Sequence, residues 1–155
     1  MPASQGGAGH GALLNLPAEI IASMANYIWI AIGSALGGTA RYWCSGVAAR
    51  LIGETFPWGT FIVNVVGSFI IGFFATLTGP DGRVYVGTTA RQFVMIGFCG
   101  GYTTFSSFSL QTLSLLNDGE WFRAGANIGL SVLCCMIAVW AEHLFAASLN
   151  SMKWV

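Results

Sequence analysis

Charged residues are scarce in this chain of 155 residues, where only 8% of positions are Asp, Glu, Lys or Arg. A soluble domain carries roughly 25% of such residues. The chain also has no run of basic residues that could bind nucleic acid, and it has no acidic tail. Its surface therefore cannot be mainly exposed to water, and a nucleic-acid-binding function is excluded.

Residues for catalysis or metal chemistry are equally few. The four cysteines have no C-x-x-C spacing, only two histidines are present, and no phosphate-binding glycine loop with a lysine occurs. The first 25 residues contain no Lys or Arg, unlike a secretory signal peptide. We therefore expect residues 1–25 to be a disordered extension or a short helix, and we expect no enzymatic activity.

Long apolar stretches make up most of the remaining chain, of which 55% overall is hydrophobic. A helix needs roughly 20 apolar residues to cross a bilayer. Turn sequences such as "TGPDGR" and "NDGEW" divide residues 26–155 into four segments of at least that length. The pattern predicts one all-α membrane domain with spans at about 27–52, 58–77, 89–116 and 122–149.

The basic residues give no preferred orientation in the membrane. Four spans would place three basic residues on each side, which are Arg83, Arg91 and Lys153 on one and Arg41, Arg50 and Arg123 on the other. The positive-inside rule therefore predicts no preferred orientation. Two interpretations stay open: the chain inserts in both orientations and pairs as an antiparallel dimer, or another signal fixes one orientation.

No carboxylate is expected in the interior of a span. Glu142 and His143 lie near the end of the fourth span, where an interfacial position is expected. Ionisable residues within a membrane usually mark proton relays or ion pathways. The predicted absence of a carboxylate there leaves no evident proton carrier, which favours passive permeation over proton-coupled export.

Neutral hydrogen-bond donors occur instead on three of the spans. Asn64 and Ser68 are four residues apart in the second, and Asn127 and Ser131 are four apart in the fourth. Such spacing places each pair on one helix face. Their side chains can replace part of an anion's hydration shell, or they can join helices to each other.

The stretch "GGYTTFSSFS" at 100–109 interrupts the third span with two glycines and five serine or threonine residues. A helix broken at Gly100 and Gly101 would free backbone carbonyls for a hard cation such as sodium and present a helix N-terminus to an anion. Phe105 and Phe108 share one helix face. Their rings contact either lipid or the protein core, or they direct their positive edges at an anion in a pore. Arg41 fits either an interfacial anchor or a pore mouth.

Glycine pairs four residues apart predict close helix packing in three places: Gly33 with Gly37, Gly97 with Gly101, and Gly125 with Gly129. Because four helices enclose little interior, a polar pathway is expected to need a second chain.

Three motifs resemble the Fluc (CrcB) fluoride channels of bacteria: "GGTAR" at 37–41, "WGTFIVNVVGSFIIG" at 58–72 and "GFCGGYTTFSSFS" at 97–109. The resemblance covers nearly all of residues 27–150. It implies four transmembrane helices per subunit with the third broken mid-membrane, and an antiparallel, dual-topology homodimer in the inner membrane. It also implies two pores that export fluoride passively and a central structural sodium ion.

Residue roles follow from the same resemblance. The fluoride pore would be lined by Phe105, Phe108, Asn64, Thr104, Ser107 and Ser131. Arg41 would lie at the aqueous vestibule, and the main-chain carbonyls of Gly100 and Thr103 would hold the sodium ion. Ser107 stands where threonine is frequent, which preserves the hydroxyl.

Two other functions remain as alternatives. A small dual-topology, proton-coupled exporter would resemble the small multidrug resistance family, but residues 27–52 lack the membrane-embedded glutamate of that family. The second alternative is a membrane scaffold without transport activity, in which the small-residue helix faces would serve only for helix packing.

Overall fold

The computed structural model describes residues 18–151, and within them every regular element is helical. Helix α1 spans Ala18–Ile52, and α2 spans Trp58–Leu77. A third segment, residues 88–117, consists of α3 (Thr88–Gln92), a π-helical stretch (Phe93–Cys99), α4 (Gly100–Tyr102) and α5 (Phe105–Asn117). Helix α6 spans Trp121–Ser151.

Three segments in the described part of the chain are long and apolar enough to cross a membrane: Trp58–Leu77, Thr88–Asn117 and Trp121–Ser151. Helix α1 has 35 residues, is longer than each of them and contains Arg41 and Arg50. The predicted all-helical, membrane-type class is therefore confirmed. That α1 forms a fourth span stays a prediction.

Helix ends coincide with the turn residues of the sequence. Gly53 follows α1 with a φ of 101°, and Gly119 lies between α5 and α6 with a φ of 76°. Residues with a side chain rarely adopt these left-handed angles, which are common just after a helix. The loop after α2 is fixed to the end of α6, because Arg83 donates to the Leu149 carbonyl at 2.9 Å.

Two of the predicted glycine pairs bring α1 onto the third segment. A Cβ built on Gly33 would lie 3.0 Å from the Gly97 Cα, and one on Gly101 would lie 2.9 Å from the Ser34 Cα. A Cβ on Gly37 would overlap the Phe98 carbonyl oxygen. The two helix backbones are so close at these positions that only glycine fits. Small residues at such contacts are usual where helices pack in membranes.

The third pair behaves differently. A Cβ on Gly125 or on Gly129 would meet nothing within 4 Å. These glycines line an open groove on α6 together with exposed apolar side chains, among them Trp121, Phe122 and Leu133.

Glu142 corrects an expectation from the sequence. Its side chain is only 1% exposed and packs on Gly72 of α2, where a Cβ would overlap Oε1. Oε2 has no hydrogen-bond partner among the described residues. Glu142 therefore does not face outwards as an interfacial carboxylate would, because the missing side chain of Gly72 leaves space for the carboxyl between α2 and α6. A carboxyl group is therefore buried within the helix bundle.

Candidate ion pathway

The backbone leaves the helical conformation at Thr103 and Thr104. Thr103 has φ −81° and ψ 158°, and Thr104 has φ −153° and ψ 116°, so both are extended between α4 and α5. Thr104 is the N-cap residue of α5, and its Oγ1 accepts a hydrogen bond from the Ser107 backbone N–H at 3.2 Å. Threonine is among the residues favoured at this position, since its oxygen satisfies one of the unpaired N–H groups of a helix start.

Asn64 binds the extended backbone through both ends of its amide. Its Nδ2 donates to the Thr104 carbonyl at 3.1 Å, and its Oδ1 accepts from the Thr104 N–H at 2.8 Å. Thr104 is only 8% exposed, so its peptide groups need such partners away from water. The asparagine of α2 thus supplies the hydrogen bonds that a continuous helix would have provided.

One consequence concerns the Gly100 carbonyl. In an uninterrupted α-helix the Thr104 N–H would donate to the carbonyl four residues earlier, which is that of Gly100. It donates to Asn64 instead. The Gly100 oxygen is released from this bond, and it lies one turn before Thr103, whose carbonyl belongs to the extended stretch.

A cavity of about 290 Å³ brings together five of the six residues predicted for the pore. These are Asn64, Thr104, Phe105, Phe108 and Ser131. Ser68, Ile71, Thr103, Val132 and Cys135 complete the lining, which contains no charged side chain. The lining is therefore apolar with a few neutral donors.

The two phenylalanine rings of this cavity differ in exposure. Their centroids are 5.3 Å apart and their planes are inclined by 43°. Phe108 is 9% exposed, whereas Phe105 is 77% exposed. Phe108 thus belongs to the interior of the single chain, and Phe105 faces outwards from it.

The sixth pore residue, Ser107, lies in a second cavity of about 310 Å³ with Arg41. Thr104 lines both cavities, and its Oγ1 lies 3.2 Å from the Ser107 Oγ and 3.1 Å from the Ser106 Oγ. A cluster of hydroxyls therefore connects the Phe105–Phe108 region with the side of the arginine.

Sequence reasoning missed Thr60 and Gln111, which also line the Arg41 cavity. The Gln111 Oε1 is buried without a hydrogen-bond partner. Thr60 and Gln111 also line a third cavity of about 330 Å³, whose lining includes Glu54 and Asp118 in the loops. Helical spacing could have identified them, because Gln111 is four residues after Ser107 and Thr60 four before Asn64.

Comparison with known proteins gives consistent similarities. Residues 28–143 match the family described as CrcB-like protein, Camphor Resistance (CrcB). A protein of Methylocella silvestris is 61% identical over 128 residues, which cover 83% of this chain and 98% of that protein. One of Opitutus terrae is 62% identical over 84% of this chain and 98% of its own length. One of Rhodospirillum rubrum is 57% identical over 80% and 96%. All three are named fluoride-specific ion channel FluC.

Proposed function

The chain belongs to the CrcB family, and we propose that, like the relatives named fluoride-specific ion channels, it conducts fluoride passively across the membrane. It is a multi-pass bacterial membrane protein of a channel family, not an enzyme. In this proposal it exports fluoride from the cytoplasm across the inner membrane and thereby relieves toxicity.

The observation that carries the proposal is the uncharged cavity of Asn64, Phe108 and Ser131. Conduction requires an ion to be bound well enough to enter and weakly enough to leave. Hydroxyl and amide donors can solvate a small anion without the deep electrostatic well of a fixed cation. Phenylalanine ring edges carry partial positive charge and add a further weak attraction.

The exposure of Phe105 supports a homodimer. One chain lines its cavity with Phe105 and Phe108 but leaves the Phe105 ring mostly outside. A second copy in the opposite orientation would cover this ring and close the cavity. The balanced distribution of basic residues permits both orientations. We therefore propose an antiparallel, dual-topology dimer with two pores.

A sodium ion would fit the interruption of the third segment, which we propose lies mid-membrane. Main-chain carbonyls at unwound helices are typical sodium ligands in membrane proteins, and the Gly100 carbonyl is released by the Asn64–Thr104 bond. The carbonyls of Gly100 and Thr103 would hold the ion together with those of the partner subunit. Its charge would stabilise the dimer where the backbone oxygens converge.

Arg41 would act at the vestibule. Its cavity connects through Thr104 and Ser107 to the uncharged cavity, so its charge lies beside the hydroxyl cluster rather than among the phenylalanines. A cation at the mouth raises the local concentration of anions without holding them in the narrow part.

Replacing Phe108 with isoleucine is expected to slow fluoride flux about tenfold, because the ring edge and its packing are both lost. Fluoride efflux from vesicles with matched protein content measures the effect. Phe69→Ile provides the control, since Phe69 is a partly exposed ring of α2 outside the cavity lining. Unchanged flux in Phe108→Ile would remove this residue from the pathway.

The buried carboxyl of Glu142 is the feature that favours the alternative of a proton-coupled exporter. It does not line the cavity of Asn64 and Phe108, and it packs on Gly72 rather than facing open space. This position favours the channel, in which no proton is exchanged for fluoride.

Growth in the presence of fluoride tests the proposed function in cells. A bacterial strain without its own fluoride exporter should regain growth at otherwise inhibitory fluoride when it expresses this chain. The Phe108→Ile variant should restore growth less well at equal expression. Absence of rescue by the wild-type chain, with the protein present in the membrane, would contradict fluoride export.

A further inference from the structure

Two carboxylates line the cavity of about 330 Å³, which we call the outer cavity. Glu54 lies in the loop between α1 and α2, and Asp118 is the C-cap residue of α5. Among the described residues of this lining, these two alone are charged. Both are exposed, and neither forms an ion pair with another residue of 18–151. The outer cavity therefore carries two negative charges that no neighbouring cation neutralises.

The outer cavity adjoins the Arg41 cavity, because Ser45, Thr60 and Gln111 line both. Arg41 is the one charged side chain that the described residues contribute to its cavity. The uncharged cavity follows beyond Thr104, which lines it together with the Arg41 cavity. An anion that moves inwards therefore meets two carboxylates, then a guanidinium, and then neutral donors.

This order of charges has a different effect on singly and doubly charged anions. Charges that line a cleft change the local concentration of ions within it. Because the Coulomb energy is proportional to the charge of the anion, a doubly charged anion is excluded by the square of the factor that applies to fluoride. The two carboxylates thus oppose fluoride weakly and polyvalent anions strongly.

Arg41 creates the need for such exclusion. Its guanidinium presents several N–H donors in a planar fork, which matches phosphate and similar oxyanions better than a single halide. A polyvalent oxyanion that reached Arg41 would be held there, and it would block a pathway that only fluoride can complete. Arg50, at the same end of α1, lines neither cavity, and its exposed charge is screened by salt.

We propose that Glu54 and Asp118 determine specificity at the entrance, where they exclude polyvalent oxyanions such as sulfate and phosphate from the Arg41 cavity. This inference rests on the proposed function. It assigns to the two carboxylates the protection of the pathway from block, at the cost of slower entry of fluoride.

The double variant Glu54→Gln with Asp118→Asn tests the inference, because it removes both charges and nearly keeps the shapes. Fluoride currents are recorded in planar bilayers while potassium sulfate replaces potassium chloride at constant ionic strength. We expect the sulfate concentration that halves the current to fall about tenfold in the double variant. Without sulfate, its current at low fluoride should rise about threefold, the square root of that factor.

Asp81→Asn is the matched control, since it removes a carboxylate from a loop at the other end of α2. The 20 residues of α2 separate Asp81 from Glu54 by about 30 Å, roughly three Debye lengths at 0.1 M salt. Its sulfate sensitivity should equal that of the wild type. Adding Arg41→Gln to the double variant should abolish the sulfate block, because the oxyanion then has no cation to hold it.

Two results would overturn the inference. Equal sulfate sensitivity of the double variant and the wild type would show that the carboxylates exclude nothing. A difference that persists at about 1 M potassium chloride, where the Debye length is about 3 Å, would show that structure rather than charge is responsible. Each single variant should show about a threefold change, so either one decides if the double variant does not assemble. A wild-type chain without fluoride current would overturn the proposed function as well.

Discussion

Alanine at position 37 is expected to prevent assembly of the protein. The added Cβ would overlap the Phe98 carbonyl oxygen and lie 2.8 Å from the Tyr102 nitrogen. Both groups belong to the backbone of the third segment, so no side-chain rotation relieves the overlap. Helix α1 would have to move away from the π-helical stretch and α4, which we expect to destabilise the protein by about 3 kcal/mol or more.

Gly46→Ala is the control for this prediction. Gly46 lies on the same helix, and a Cβ there would meet nothing within 4 Å. The purified variants are heated, and the folded protein that remains is measured by size-exclusion chromatography. Gly46→Ala should be as stable as the wild type or slightly more stable, because alanine favours helix over glycine. In Gly37→Ala we expect aggregation or loss of the folded peak. Equal stability of the two variants would contradict the close packing of α1.

Replacing Asn64 with leucine is expected to abolish fluoride flux and to destabilise the protein. The change removes both hydrogen bonds to Thr104 and leaves a buried N–H and a buried carbonyl without partners. Each unsatisfied group costs roughly 1–3 kcal/mol, so a loss of about 2–6 kcal/mol is expected. The extended backbone that separates α4 from α5 would also lose its anchor on α2.

Ser68→Ala separates this backbone role from simple lining of the cavity. Ser68 lies one helical turn further along α2 and lines the same cavity. Its replacement should reduce flux without a large change in thermal stability. If Asn64→Leu were as stable as Ser68→Ala, the Asn64–Thr104 bonds would not support the backbone, and only a lining role would remain.

Much of the helical arrangement could be predicted from the sequence, because it follows from local patterns. The predicted segments 58–77, 89–116 and 122–149 lie within two residues of helical segments at both ends. Gly33, Gly37, Gly97 and Gly101 meet as their spacing indicates. The Phe93–Cys99 stretch was not predicted as π-helical, since its seven apolar residues are equally compatible with an α-helix.

The parts of the site that could not be predicted depend on contacts between distant segments. Asn64 was expected to line the pore, but nothing in its neighbours shows that both ends of its amide bind Thr104. Glu142 was expected at the membrane interface because it lies near the end of the fourth predicted span. Its burial depends on Gly72, seventy positions earlier.

The most direct test of the proposed function is the initial rate of halide efflux from proteoliposomes that contain the purified wild-type chain. Fluoride and chloride are measured with ion-selective electrodes, with and without a proton gradient, and potassium flux through an ionophore balances the charge. We predict rapid fluoride efflux that needs no proton gradient and chloride efflux at the level of protein-free vesicles. Equal rates for the two ions, or fluoride efflux that stops without a proton gradient, would contradict a passive fluoride-selective channel.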